Sequence, residues 1–147
     1  MGSGVFHAMN VAASGMTAQR TRMDIISQNI ANVNTTRDEN GEVYKRQTVV
    51  FQENSNVSFD HVLSNKLENY HGKGVKISKI VEDDTEGSMV YDPTHPDADE
   101  NGYVTMPNVN TVTEMTNLID ASRSYEANAT TFNAAKAMAA KGLELFQ

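Results

Sequence analysis

The chain lacks cysteine and tryptophan, and it has only three prolines in 147 residues. The absence of cysteine excludes disulfides, thiolate zinc sites and a cysteine nucleophile. No stretch approaches the roughly 18 apolar residues that a spanning helix requires, so we expect no membrane insertion. The residues before Arg20 contain no Lys or Arg and no unbroken apolar run. We therefore expect either a cytoplasmic protein or one exported without a cleaved signal peptide.

Basic residues are also scarce, with 12 Lys and Arg against 19 Asp and Glu, for a net charge of −7. A surface for binding nucleic-acid phosphates would have to form against this overall negative field, so we expect no nucleic-acid partner. The length and the 39% hydrophobic content fit one domain with a moderate core.

The N-terminal part of the chain carries apolar residues at spacings of three and four from Val5 to about Val33, which predicts an amphipathic helix. Ser14 and Gly15 lie in its middle, where glycine costs about 1 kcal/mol relative to alanine, so this helix needs a packing partner. The apolar positions are Met9, Ala12, Met16, Met23, Ile26, Ile30 and Val33.

A second helix is predicted from Thr111 to the end of the chain. Pro107 ends the preceding segment, and the pair Thr111 and Glu114 has the T-x-x-E form of a capping box. Its predicted apolar seam contains Met115, Leu118, Ser122, Tyr125, Ala129, Phe132, Lys136, Ala139, Leu143 and Phe146.

The segment between the helices is rich in β-branched and aromatic residues separated by polar turns, which indicates short strands. The predicted strands are Tyr44–Gln52, Gly74–Val81, Ser88–Asp92 and Gly102–Met106, whereas Glu53–His71 reads as a loop or a short helix. We predict an α+β fold in which long N- and C-terminal helices pair as a coiled coil, with a small β-rich domain inserted between them. The expected boundaries are 1–36, 37–110 and 111–147.

The turn Asp97–Gly102 resembles the first half of a calcium loop, with Asp97, Asp99 and Asn101 at alternate positions. The twelfth position is Asn108, where such a site requires a bidentate glutamate. Two prolines block an entering helix, and the residues after Gly102 read as a strand. A turn without metal explains the pattern, and a calcium-binding interaction module using Asp97–Asn101 is the alternative function.

The sequence contains no motif that indicates a catalytic site. His7, His61, His71 and His95 have no metal-ligand spacing, and Ser14 lacks a nucleophile elbow. No acid, base and nucleophile come together. We therefore predict a protein that is not an enzyme, with no catalytic, cofactor-binding or metal-binding residues.

Two motifs at opposite ends resemble signatures of a known family. The stretch SQNIANVNT at Ser27–Thr35 is similar to the N-terminal signature of bacterial flagellar rod, hook and hook-associated proteins. SRSYEANATTFNAAKAM at Ser122–Met138 is similar to their C-terminal signature. The segment Tyr91–Met115 and the short length resemble the C-type proximal-rod members most. The path from Arg37 to Arg46 departs from the Pro-Gly-Tyr turn of many members.

This resemblance implies a structural subunit of the flagellar basal-body rod, the drive shaft that crosses the periplasm and transmits torque. It implies self-association through the terminal helices, contacts with other rod proteins and basal-body components, and passage through the flagellar type III export apparatus. Another flagellar axial protein is the alternative within this class. From the two seams we predict these subunit-interface residues: Met9, Met16, Met23, Ile26, Ile30, Met115, Leu118, Tyr125, Phe132 and Leu143.

Overall fold

The computed structural model describes residues 2–38, 41–54 and 73–144. They form helix α1 (Gly2–Ala31), strands β1 (Gln47–Glu53), β2 (Val75–Glu82), β3 (Met89–Tyr91) and β4 (Tyr103–Thr105), and helix α2 (Thr111–Glu144). Two long helices flank a small β region, so the predicted α+β class is confirmed. The segment Glu53–His71, expected to be a loop or a short helix, lies outside the described residues from position 55 onward.

The chain divides into two compact units. Unit 1 comprises Met1–Arg20, Phe51–Ser78 and Arg123–Gln147, and unit 2 comprises Thr21–Val50 and Lys79–Ser122. Each long helix therefore contributes one stretch to each unit.

Helix α1 extends three residues beyond the predicted start and stops two residues before the predicted end. A turn ends it, in which the N–H of Asn32 donates to the Gln28 carbonyl at 3.0 Å. The side-chain amide of Asn32 donates to the same carbonyl at 2.9 Å and accepts from the Thr35 hydroxyl at 3.1 Å. Asn32 thus satisfies the Gln28 carbonyl, one of the backbone groups that the helix end leaves open.

All four predicted strands are confirmed, each within three residues of its predicted bounds. Strands β1 and β2 form one two-stranded sheet. At one end the N–H of Asn54 donates to the Gly74 carbonyl at 2.9 Å, and at the other the N–H of Asp83 donates to the Arg46 carbonyl at 2.8 Å. These bonds show that the two strands run antiparallel.

Strands β3 and β4 form a second antiparallel pair, with Val90 opposite Val104 and Tyr91 opposite Tyr103. The rings of Tyr91 and Tyr103 meet edge to face with centroids 5.3 Å apart. Val104 is buried, whereas both tyrosines are exposed. Successive side chains of a strand point to opposite faces of the sheet, and cross-strand partners point to the same face. Tyr91 and Tyr103 therefore lie on one face, and Val104 lies on the other.

The start of α2 is where the sequence predicts it, but its cap is different. The side chain of Asn110 accepts the Thr113 N–H at 3.0 Å, and the Asn110 carbonyl accepts the Glu114 N–H at 2.9 Å. Asn110 is therefore the N-cap, and the predicted capping box of Thr111 and Glu114 is wrong. The Glu114 carboxylate is instead bound to other residues in the interior of unit 2.

The buried apolar residues of both helices are mostly alanines: Ala12 and Ala18 in α1, and Ala121 and Ala135 in α2. On α2 the buried line passes through Glu114, Ala121 and Ala135, each one residue before a position of the predicted seam. Small side chains allow another element to approach the helix backbone closely, which longer side chains at these positions would prevent. Within the described residues, neither helix has an 18-residue stretch apolar enough to cross a membrane.

Candidate assembly surfaces and a buried polar junction

Asn29 is fully buried, and its side-chain amide makes four hydrogen bonds within unit 2. Its Nδ2 donates to the Gln47 carbonyl at 2.8 Å and to Glu114 Oε2 at 2.9 Å. Its Oδ1 accepts the Tyr44 hydroxyl and the Gln47 N–H, both at 2.9 Å. An amide has two donor hydrogens and two acceptor lone pairs, so every hydrogen-bonding group of Asn29 is satisfied.

Glu114 is the second fully buried polar residue, and it forms an ion pair with Arg46. Its Oε1 accepts Arg46 Nε at 2.9 Å and Nη2 at 2.8 Å, so the guanidinium presents two donors to one carboxylate oxygen. Asn117 donates to the same oxygen at 3.3 Å. Removing one partner from a buried pair leaves the other group without compensation, which destabilises strongly. We define the polar junction as Asn29, Tyr44, Arg46, Gln47 and Glu114.

Asn108 forms hydrogen bonds to the residue that precedes β1 and to the residue that follows β2. Its Oδ1 accepts the Arg46 N–H at 2.8 Å, and its Nδ2 donates to the Asp83 carbonyl at 2.8 Å. The Arg46 N–H thus bonds to Asn108, and β1 begins at Gln47, three residues later than predicted.

Burial raises the pKa of the Tyr44 hydroxyl, and the nearby carboxylates of Glu114 and Glu82 raise it further. The hydroxyl therefore keeps its proton at neutral pH and remains a donor to Asn29. The polar junction thus joins the end of α1, the start of β1 and the first turn of α2 through satisfied polar groups.

Unit 1 is held differently, by close approach of small residues. A Cβ added to Gly15 would lie 2.7 Å from the Asn128 Oδ1, so α1 and α2 meet closely at this point. The Ser14 hydroxyl donates to the Val11 carbonyl at 2.7 Å and accepts the Val75 N–H at 3.0 Å. Gly74 has a φ of +86°, and a Cβ there would collide with Ser14 Oγ. Glycine is required at position 74 for both reasons.

The ten predicted interface residues differ in exposure. Ile26 is buried, and Met115 and Leu143 are 55% and 72% exposed. The remaining seven are half-buried: Met9, Met16, Met23, Ile30, Leu118, Tyr125 and Phe132. Most of the set therefore retains apolar surface in the single chain.

An exposed apolar stripe on α2, which the sequence analysis missed, surrounds Met115. Val112 is 74% exposed and Ile119 is 54% exposed. Residues 112, 115 and 119 follow helical spacings of three and four, so they share one face. The spacing is present in the sequence, but the T-x-x-E pattern predicts that Thr111–Glu114 forms a cap, and Ile119 lies outside the predicted seam.

The side chains that suggested a calcium site are used to shape the turn. The Asp97 carboxylate accepts the Thr36 hydroxyl at 2.8 Å and forms an ion pair with Arg37 at 2.9 Å. Asp99 Oδ1 accepts the N–H groups of Asn101 and Tyr103, both at 2.8 Å. Across the described ranges, no cluster of three or more His, Cys, Asp or Glu side chains fits a metal ion.

Several asparagines of this chain make side-chain hydrogen bonds within it. Asn29 and Asn108 belong to the network around the polar junction, and Asn110 caps α2. Asn128 donates to the Ser124 carbonyl at 2.8 Å. Their roles as caps and internal hydrogen-bonding groups leave the apolar positions as the better candidates for assembly.

Both ends of the chain match family models of flagellar rod proteins. Residues 9–37 match the family model described as flagella basal body rod protein, and residues 100–145 match that of the flagellar basal body rod FlgEFG protein C-terminal region. The polar junction includes Asn29 from the first match and Glu114 from the second.

Similar proteins extend over almost the whole chain. The flagellar basal-body rod protein FlgC of Bacillus subtilis is 49% identical over 95% of this chain and 97% of its own length. FlgC of Borreliella burgdorferi is 43% identical over 98% and 99%, and FlgC of Escherichia coli O6:H1 is 36% identical over 97% and 98%. The family is structural and not enzymatic, and the chain belongs to the FlgC family of flagellar basal-body rod proteins.

Proposed function

We propose that this protein is a structural subunit of the flagellar basal-body rod and that it polymerises with copies of itself and with other rod proteins. The observation that carries the proposal is identity of up to 49% to FlgC proteins over nearly the full length of both chains. The resulting rod crosses the periplasm as a drive shaft and transmits torque.

We further propose that the terminal helices form the contacts of the rod core. The finer arrangement is a coiled coil of residues 1–36 and 111–147, with residues 37–110 as a β-rich domain. Support comes from the apolar surface that the predicted interface residues keep, with Met115 and Leu143 the most exposed. Methionine adapts to differently shaped neighbours, which suits a subunit with several kinds of contact.

The route to the rod is part of the same proposal. The chain leaves the cytoplasm through the flagellar export apparatus without a cleaved signal peptide. Long helices with apolar residues on partly exposed faces gain most of their stability from packing, which allows the chain to cross a narrow channel before it folds against its neighbours.

Gene deletion is the first test. We expect a strain without the gene to lack motility and filaments, because the rod must be complete before the hook and the filament assemble. Normal swimming of the deletion strain would contradict the proposed function.

A matched pair of variants tests the helical contacts. Met115→Asp places a charge on an exposed apolar residue, and Thr113→Asp places the same charge on an exposed residue of the same turn that lies off the face of residues 112, 115 and 119. We expect the free energy of unfolding of both purified variants to lie within about 0.5 kcal/mol of the parent value, because surface substitutions seldom cost more. Only Met115→Asp should prevent incorporation into basal bodies. Equal incorporation of both variants would exclude Met115 from the interface.

A further inference from the structure

The two units of this protein carry opposite net charge. Unit 2 contains 14 acidic and five basic side chains, a net charge of −9, whereas unit 1 contains five acidic and seven basic side chains, a net charge of +2. Together these account for the 19 acidic and 12 basic residues of the chain. The negative charge of the protein is therefore concentrated in one unit.

Unit 2 exposes an apolar and aromatic surface on its β3–β4 pair. Met89, Tyr91 and Tyr103 are 65%, 64% and 43% exposed, and they share one face of the ladder with Thr105. Tyrosine and methionine are enriched in protein interfaces, where they supply large contact areas. On the opposite face Val104 is buried and Val90 is 47% exposed, so the larger apolar and aromatic surface lies on the side of Met89, Tyr91 and Tyr103.

An acidic cleft continues this surface. Met89 and Thr105 line it together with Glu42, Asp84 and Glu86. Lys45 also lines it and pairs with Asp84 at 2.8 Å. Three carboxylates against one ammonium group leave an excess of two negative charges. We define the hairpin face as Met89, Tyr91, Tyr103 and Thr105 with the cleft carboxylates Glu42, Asp84 and Glu86.

On the basis of the proposed rod function, we propose that the hairpin face of one copy binds unit 1 of a second copy. Charge complementarity selects this occupant, because a surface of the −9 unit meets the +2 unit of its neighbour. Arg20, Arg123 and Lys136 are exposed in unit 1, and none of them forms an ion pair with another described residue. They supply cations that no acidic side chain of the described residues pairs with.

The charge distribution also selects the symmetry of the contact. Two hairpin faces brought together would place like charges opposite each other, which is unfavourable. A contact between two different surfaces avoids this repulsion. Such heterologous contacts leave a free surface of each kind at the ends and generate open helical assemblies.

Photo-cross-linking in intact basal bodies tests the proposal. A benzophenone-bearing amino acid replaces Tyr91 in the chromosomal gene, and Val90 is the matched control on the other face of the same strand. We expect a product of twice the chain mass from position 91, with the linked peptide in unit 1 of the second copy. Position 90 should give at least about tenfold less product.

Three outcomes would overturn the docking proposal: linkage to a different rod protein, linkage to unit 2 of the second copy, or no dimeric product above the Val90 control. If the Tyr91 variant does not support swimming, Tyr103 on the same face serves as the second probe position. A swimming strain without the expected link overturns only the docking proposal. Swimming without the gene would overturn the rod function.

Charge reversal supplies an independent measurement. Glu86→Lys changes the cleft, and Asp24→Lys makes the same charge change at an exposed position of α1. We expect Glu86→Lys to lower the dimeric product from position 91 about tenfold and Asp24→Lys to leave it unchanged. Equal yields from the two variants would show that the cleft charge does not contribute to binding.

Discussion

The two compact units of the chain are stabilised by different means. In unit 2 the two fully buried polar residues are Asn29 and Glu114, and Arg46 completes their network of hydrogen bonds and charge. In unit 1 the buried positions are small, and Gly15 lies against the Asn128 side chain. The polar network of unit 2 is stable only when every hydrogen-bonding partner is present. The close packing of unit 1 is possible only because residues such as Gly15 have no side chain that would collide with the opposing helix.

This difference teaches how each unit should respond to substitution. A satisfied buried network loses far more than one hydrogen bond when a central member is removed, because its partners remain buried without compensation. A closely packed contact is disturbed by added volume, and a change in the opposing side chain can relieve it. The following predictions separate the two cases, beginning with the largest expected effect.

Glu114→Ala should destabilise unit 2 by about 3–5 kcal/mol, because it leaves Arg46 and the Asn29 amide without their partner. Urea unfolding of the full chain measures the change. Glu126→Ala, at an exposed position of the same helix, is the control and should stay within about 0.5 kcal/mol of the parent. A loss of under about 1 kcal/mol for Glu114→Ala would mean that the network contributes no more than an ordinary surface contact.

Gly15→Ala should destabilise unit 1 by about 1 kcal/mol. Alanine gains about 1 kcal/mol of helix propensity, but its Cβ must displace Asn128, and such overpacking costs about 1–3 kcal/mol. In an Asn128→Ala background the clash is gone, so the same substitution should stabilise by about 1 kcal/mol. A double-mutant cycle of thermal unfolding measures this coupling. The same sign in both backgrounds would argue against close contact at Gly15.

Tyr44→Phe tests a peripheral member of the polar junction. It removes the hydroxyl that donates to Asn29 Oδ1 and retains the ring, so we expect a loss of about 1 kcal/mol. Tyr125→Phe, in the half-buried part of α2 within unit 1, is the comparison and should cost less. Hydrogen exchange of unit 2 amides measures the Tyr44 effect. Unchanged exchange would place the hydroxyl outside the cooperative network.

The smallest expected effect is acid sensitivity confined to unit 2. Hydrogen bonds from Thr85 lower the pKa of Asp83 below its ordinary value of 3.8, with Arg46 adding to the effect, and those from Thr94 lower the pKa of Asp92. Because the folded pKa lies below the unfolded one, this stabilisation is present above the ordinary value and is lost as pH falls through the lowered pKa.

Hydrogen exchange corrected for intrinsic rates should show protection in unit 2 declining on acidification through this range. Thr85→Val combined with Thr94→Val removes the hydroxyl donors, and the pH dependence should become weaker. An identical pH profile in the double variant would show that these turns do not contribute.

Local pattern predicted the strands well because their signals are local. Each is a short run of β-branched or aromatic residues between polar turns, and each lies within three residues of its predicted bounds. The start of α2 could be predicted equally well, since Pro107 and the polar residues after it mark a helix boundary. The identity of the N-cap could not be predicted, because Asn110 and Thr111 are both good N-cap residues.

The buried residues of α2 and the polar junction were harder to predict from the sequence, for two physical reasons. Seam prediction favours large apolar residues such as Met115 and Leu143, whereas close packing buries Ala121 and Ala135. The junction joins Asn29 to Glu114 across 85 positions of sequence, which no local spacing reveals. The spacing of Thr111 and Glu114 predicts a capping box, whereas the Glu114 carboxylate forms an ion pair with Arg46.

The two hydrogen bonds between Asn29 and Gln47 have a mechanical consequence. The amide accepts the Gln47 N–H and donates to the Gln47 carbonyl, so a helix side chain occupies the place of a neighbouring strand. Both bonds join the same two residues and must break together when α1 is pulled away from β1. In a rotating shaft, this pair would carry load from the end of the first helix directly into the first strand.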